Sequence, residues 1–286
     1  MDHVMTKQRR KLAPGAAACL LLISLALAAC AGTGSLPAAG SPAPSATQAK
    51  PSGPSREARR VEAAVDNYFR DDANRDYRSM AADSTGPISA LWLWYDAEYG
   101  SCTCPVERLT IDHIAATKVE RSTAFVSLGA ALQASDHVTK FSGPVRLQKI
   151  AGRWHVVDYL RNGVPLAPTI HAVSDAPAVQ ADDVSFQILG TQEIDNLVEV
   201  WLHTTNSRAA SIRIVSVSIA TATGGFVHQR SFPTADDLLV LPGRFAVRPI
   251  AMLGPAGRAA GGRLRLRIGF KDTASGETFT TIATNG

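Results

Sequence analysis

From residue 57 onward the chain alternates polar and apolar positions in two rhythms. Val61, Ala64, Val65, Tyr68 and Phe69 recur at i, i+3, i+4, i+7 and i+8, with Arg59, Arg60, Glu62, Asp66 and Arg70 between them. That spacing predicts one amphipathic helix. A second, short helix is predicted over 74–82, with Tyr77 and Met80 inward, ended by Ser84-Thr85-Gly86-Pro87. Residues 88–99 hold Trp92, Trp94, Tyr95 and Tyr99, and their periodicity fits a helix or a strand. Period two then takes over. Leu109, Ile111, His113 and Ala115 share one face, as do Ala124, Val126, Leu128, Ala130 and Leu132, the alternation of a half-buried sheet. Phe141, Val145 and Leu147 follow a turn region at Asp136-His137, and Gly152 turns the chain into a strand over 153–160.

Pro165, Pro168 and Pro177 mark a connector over 166–181. From 182 the pattern is all strand. Val184-Phe186-Ile188, Val198-Val200-Leu202, Ile212-Ile214 and Val215-Val217-Ile219 alternate, and Leu264-Leu266-Ile268-Phe270 are separated by Arg263, Arg265 and Arg267. Gly224-Gly225, Pro242-Gly243, Gly261-Gly262 and Ser275-Gly276 punctuate them at the intervals of a β-sandwich.

Helices first and antiparallel strands afterwards predict an α+β layer arrangement, with helices on one face of a curved antiparallel sheet. The opening helix, the long strands and the closing Gly-Arg-Trp-His-Val-Val-Asp segment resemble the nuclear-transport-factor-2-like superfold, also called SnoaL-like or ketosteroid-isomerase-like, over 57–165. That resemblance implies a cone-like domain that often encloses a pocket. Residues 182–286 resemble the all-β immunoglobulin-like sandwich of bacterial envelope lipoproteins, without the inter-sheet disulfide of antibody domains.

The amino-terminal stretch changes the setting. Lys7, Arg9, Arg10 and Lys11 precede an apolar run over 12–29 that ends in Leu27-Ala28-Ala29-Cys30, the three parts of an export signal. The tetrad resembles the lipobox of bacterial lipoproteins. By that resemblance residues 1–29 are a signal peptide, Cys30 carries the diacylglyceryl group, and its freed amine takes a further acyl chain of the palmitate kind. Two or more chains make a stable anchor, at ~0.8 kcal/mol per buried methylene. Residues 30–56 are mostly Ala, Ser, Pro, Gly and Thr, a composition that reads as a disordered linker. As a flexible coil its reach is roughly 25–30 Å. The expected location is the extracytoplasmic face of the bacterial cell membrane.

Removing the signal also changes the charge. The full chain has 29 Lys and Arg against 25 Asp and Glu, and loss of residues 1–29 leaves 25 against 24. No basic stripe with interleaved aromatics remains, so nothing in the sequence supports nucleic-acid binding. Cys102 and Cys104 would be the only thiols left, and an oxidising compartment favours a local disulfide between them, a pairing between molecules, or a redox role.

Candidate chemistry is sparse. A pocket in the cone domain would draw on Trp92, Trp94, Tyr95 and His113, with Asp96, Asp112, His155 and Asp158 as further polar candidates. No catalytic residue is assigned and no cofactor is expected. The six histidines after the signal are scattered, without a pair at metal-ligand spacing. Phosphate-loop, nucleophile-elbow and zinc-protease motifs do not occur. The expectation is a non-catalytic binding or scaffold protein of the envelope, anchored through Cys30 and meeting an exported protein or cell-wall material. The alternative is a small-ligand carrier or enzyme using the interior of the cone.

Overall fold

The structure, a computed structural model, describes residues 54–101, 106–134, 137–194, 197–220, 225–231, 238–253 and 264–285. Cys30, the Cys102-Thr103-Cys104 segment, Asp136, Arg263 and the Gly261-Gly262 turn lie outside the described residues. Residues 51–286 form one compact unit.

Three helices open that unit: α1 (Arg56–Asn74), α2 (Tyr77–Ala82) and α3 (Pro87–Tyr99). Ser55 caps α1 by accepting from Ala58 N at 3.1 Å, and Arg75 ends it in the left-handed conformation at φ 59°. Val61, Val65, Tyr68 and Phe69 are fully buried, so the predicted stripe is the buried one. The second helix begins three residues later than its pattern indicates, because Asn74 completes α1 and Asp76 caps the new one. Residues 88–99 are helical. Gly86 supplies a positive φ at the cap and Pro87 the first turn.

The first sheet contains β1 (Arg108–Val119), β2 (Thr123–Gln133), β3 (Val138–Ile150), β4 (Arg153–Asp158), β5 (Leu160–Arg161) and β6 (Val164–Pro165). Its order is β1-β2-β3-β5-β6, with β4 also on β3, and every ladder is antiparallel. Helix α1 lies across β1, β2 and β4, and the helices and this sheet share one core.

Two five-stranded sheets follow. One has the order β14 (Arg244–Leu253), β10 (Leu197–Asn206), β9 (Val184–Ile194), β7 (Ile170–Ala172), with β8 (Val179–Ala181) also on β9. The other has the order β12 (Phe226–Ser231), β11 (Ile212–Ala220), β15 (Arg265–Asp272), β16 (Thr278–Thr284), with β13 (Leu239–Val240) on β11. Val184, Phe186, Ile188, Val200 and Leu202 from one meet Ile212, Ile214, Val217, Leu266, Ile268 and Phe270 from the other in a second core. The described chain is therefore mostly antiparallel sheet with few helices.

Within the connector over 166–181, β7 and β8 both pair with β9 and extend its sheet. One expectation needs correction: β1 shifts register between Ile111 and His113. The bulge at Asp112 reverses the side-chain alternation, so Ile114 faces inward and His113 faces solvent.

Candidate functional site

The end of α1 carries the first charged group of the site. The inward stripe Val61, Val65, Tyr68 continues one turn further to position 72, where the residue is Asp. One turn on, the left-handed Arg75 directs its guanidinium toward β1 and meets Glu107 at 2.7 Å. Glu107 is held there because its own N–H donates to Ala73 O at 2.9 Å. These three residues and Arg161 of β5 border a cavity of about 240 Å³. The opposite wall is aromatic, formed by Tyr77 of α2 and Trp92, Tyr95 and Tyr99 of α3. Tyr77 stacks on Trp92 at 5.7 Å, and Tyr95 lies 5.4 Å from each. Trp92 is fixed by donating to the Tyr68 hydroxyl at 2.5 Å.

Burial sets the electrostatics. Enclosure of the Asp72 carboxyl, against the opposing pull of Arg161 and with Glu107 nearby, raises its pKa to about 7. Burial also raises Tyr77 and Tyr99 to about 12 and moves Tyr95 upward, so the three hydroxyls stay protonated donors. Arg161 is a permanent cation among Asp72, Tyr95, Tyr159 and Glu199 of β10. Glu199 is itself shifted upward by burial, with Arg161 opposing the shift. A residue of the first sheet thus shares a charge cluster with one of the second.

A second cavity, of about 220 Å³, adjoins the first and shares His137, Thr139 and Arg161 as a common wall. Its far side is Val164, Pro165 and Leu166, together with Gln192 and Glu193 of β9. Gln192 pairs across strands with Ile170 on one side and Glu199 on the other. It is 1 % exposed, and its Oε1 has no hydrogen-bond partner among the described residues. Neither does the enclosed Nε of Arg75.

No family model matches the chain, and no curated protein matches it.

Of the pocket residues read from the sequence, Trp92 and Tyr95 line the first cavity. Trp94 does not. It points away from the cavity and packs on Trp201 of β10 at 5.7 Å, beside Gly190 of β9. His113 does not either, because the β1 bulge turns it outward, where its Nε2 lies 3.1 Å from Ser127 Oγ. Its ring occupies the space over Gly129, where an added Cβ would fall 2.6 Å away. Asp112 is exposed, and Asp96 pairs with Arg78 at 3.2 Å. The Asp158 carboxylate accepts from the Tyr159 and Ala167 N–H groups, each at 2.9 Å, and so anchors a turn. His155 is half-buried on β4, outside both cavities.

Asp72, Arg75, Glu107, Arg161 and Gln192 were not singled out from the sequence. Asp72 had a signal there, a carboxylate placed where an apolar stripe should continue. Gln192 had none, since the residues around it, Leu166, Thr169 and Arg161, come from other parts of the chain. Among the described residues no group of three or more His, Cys, Asp or Glu is placed to hold a metal ion. Chemically, the site offers fixed donors and acceptors on one wall, aromatic faces on the other, and one carboxyl that changes charge near neutrality.

Proposed function

We propose that this protein is a lipid-anchored, extracytoplasmic binding protein of the bacterial envelope, with a nuclear-transport-factor-2-like cone over 57–165 and an immunoglobulin-like sandwich over 182–286. The observation that carries the binding role is the pair of adjoining cavities, one between the helices and the first sheet and the other between that sheet and β9, bordered by charges already held by one another. Such groups are pre-organised, so a ligand meets them without the cost of ordering them first. The helices over one antiparallel sheet support the cone reading, and the core between two five-stranded sheets supports the sandwich reading. Leu27-Ala28-Ala29-Cys30 supports the anchor. Labelled palmitate fed to expressing cells should enter the parent protein and sediment with membranes. Cys30→Ser should lose the label and the membrane association; a processed Cys30→Ser protein that still sediments with membranes overturns the anchor.

One observation favours a second reading, an enzyme using the same interior. Asp72 titrates near neutrality inside a cavity, the property a general acid or base needs. That reading requires turnover of a bound small molecule which Asp72→Asn abolishes while binding persists.

A further inference from the structure

The first turn of α1, the turn between β1 and β2 and the end of β3 meet at one pole of the first sheet. Lys149 joins them, its ammonium 2.6 Å from the Glu57 carboxylate and its N–H donating to Ser122 O at 2.8 Å. Most charges at this pole offset one another. Arg60 and Lys149 share Glu57, Lys118 pairs with Glu120, and Arg153 pairs with Asp83. Glu62, one turn along α1, accepts from the Ala116 N–H and balances the remaining cation. That leaves Arg56, Arg59 and Arg121, which are exposed and make no ion pair among the described residues. A guanidinium stays charged at every physiological pH. Between 30 and 56 the chain adds Lys50 and no carboxylate.

Charges of the two later sheets lie too far away to cancel this surplus. Those sheets reach the first one at the opposite end of β3, where Thr139 shares a cavity wall with Gln192 and Glu193. Between Thr139 and Lys149 the strand covers roughly 30 Å, several times the ~8 Å screening length of physiological salt. The chain after residue 29 has 25 basic residues against 24 acidic ones, so a basic pole leaves the remainder net acidic. An anionic surface attracts such a molecule only when this pole faces it.

We propose that the pole formed by Arg56, Arg59 and Arg121 docks on anionic phospholipid headgroups of the leaflet that holds Cys30. The occupant follows from connectivity, since the segment leading to Cys30 joins the described chain at Arg56, inside the patch. A tether with a reach of roughly 25–30 Å keeps the pole close to that leaflet but sets no orientation by itself. The arginines set it. The cavities, at the far end of α1, are then held on the outward side. The docking rests on the anchor reading above and adds to it a surface and an orientation.

The test uses the mature chain from residue 30 carrying Cys30→Ser, so that no acyl chain contributes. It is sedimented with vesicles of phosphatidylcholine alone or mixed equally with phosphatidylglycerol, at low salt. The anionic vesicles should carry the protein down and the neutral ones should not, and about 0.5 M salt should release it. Each Lys or Arg near such a surface is worth roughly fivefold in affinity, so Arg59→Gln with Arg121→Gln should weaken binding on the order of twentyfold. Both positions are exposed, so the melting temperature should match that of the parent. Arg56→Gln alone should weaken binding roughly fivefold and serves if the double variant misfolds. Arg265→Gln with Arg267→Gln, on β15, removes the same charge from the later sheets and should leave binding within about twofold, because it lies beyond the screening length. Equal sedimentation with neutral vesicles overturns the docking. So does a pole variant that binds like the parent, or a β15 variant that weakens binding as much. Palmitate label at Cys30 without vesicle binding removes the docking and leaves the anchor; vesicle binding without label removes the anchor and leaves the pole's affinity for lipid.

Discussion

Asp72 and Glu57 are both carboxylates on α1, and their surroundings drive them in opposite directions. Enclosure keeps the Asp72 proton on in the folded protein until about pH 7, whereas in the unfolded chain it leaves near ~3.9. Folding is therefore opposed by Asp72 above the unfolded value, and stability attributable to it falls as pH rises from about 4 to 7. Asp72→Asn should melt with the parent near pH 4 and above it at pH 8, as scanning calorimetry at the two values would read. Glu57 is held down to about 2, first by the Lys149 ammonium at 2.6 Å and then by the Trp154 indole N–H at 2.9 Å. Its contribution is fully present above the unfolded carboxylate value and is lost as pH falls toward 2. Glu57→Gln should lower the melting temperature at pH 7, and the difference should shrink steadily below pH 4. The Asp72 position was readable in advance, since it interrupts an apolar stripe. The depression of Glu57 was not, because Lys149 and Trp154 are some ninety residues away in sequence.

At the level of elements, α3 and β1 explain what periodicity could and could not reveal. Helix α3 carries large apolar groups around its circumference, because two different partners cover it and Leu93 stays 54 % exposed. Leu91 and Trp92 enter the first core, while Trp94 packs against Trp201 of the second sheet. A segment buried on two sides loses the one-sided signature that distinguishes helix from strand. In β1 the alternation was legible but its phase was not, since one extra residue at Asp112 sends His113 out and Ile114 in. The strand β9 was predicted from Val184, Phe186 and Ile188, yet its irregular register opposite Trp201 places Gly190 directly under Trp94. A Cβ there would overlap the Trp94 ring and the His171 carbonyl, and the carbonyl is backbone that cannot swing aside. Gly190→Ala should cost about 1–3 kcal/mol in urea unfolding, the range for overfilling a packed interior.

For the whole molecule, the decisive residue is Trp201. Val200 and Leu202 on either side of it enter the core between the two later sheets, while Trp201 faces the other way and is fully buried with Trp94 and Tyr95. The Arg248–Glu98 ion pair lies at the same junction. In the sequence Trp201 occupies the parity of a solvent-facing position, and only the presence of α3 makes it interior. Trp201→Ala should lower stability by about 3–5 kcal/mol, measured by urea denaturation. In the parent, near-ultraviolet and far-ultraviolet signals should change together, because Trp201 of the second sheet is built into the core of the helices and the first sheet.

The burial of Trp201 also bears on how the molecule can be divided. Cutting the chain between the two later sheets and the helical portion would strip the cover from Trp94, Trp201 and Val247 at once, and each indole alone hides roughly 150–250 Å². Either fragment would be released with a greasy scar and a tendency to clump, so a soluble half would have to be re-surfaced before it could be studied by itself.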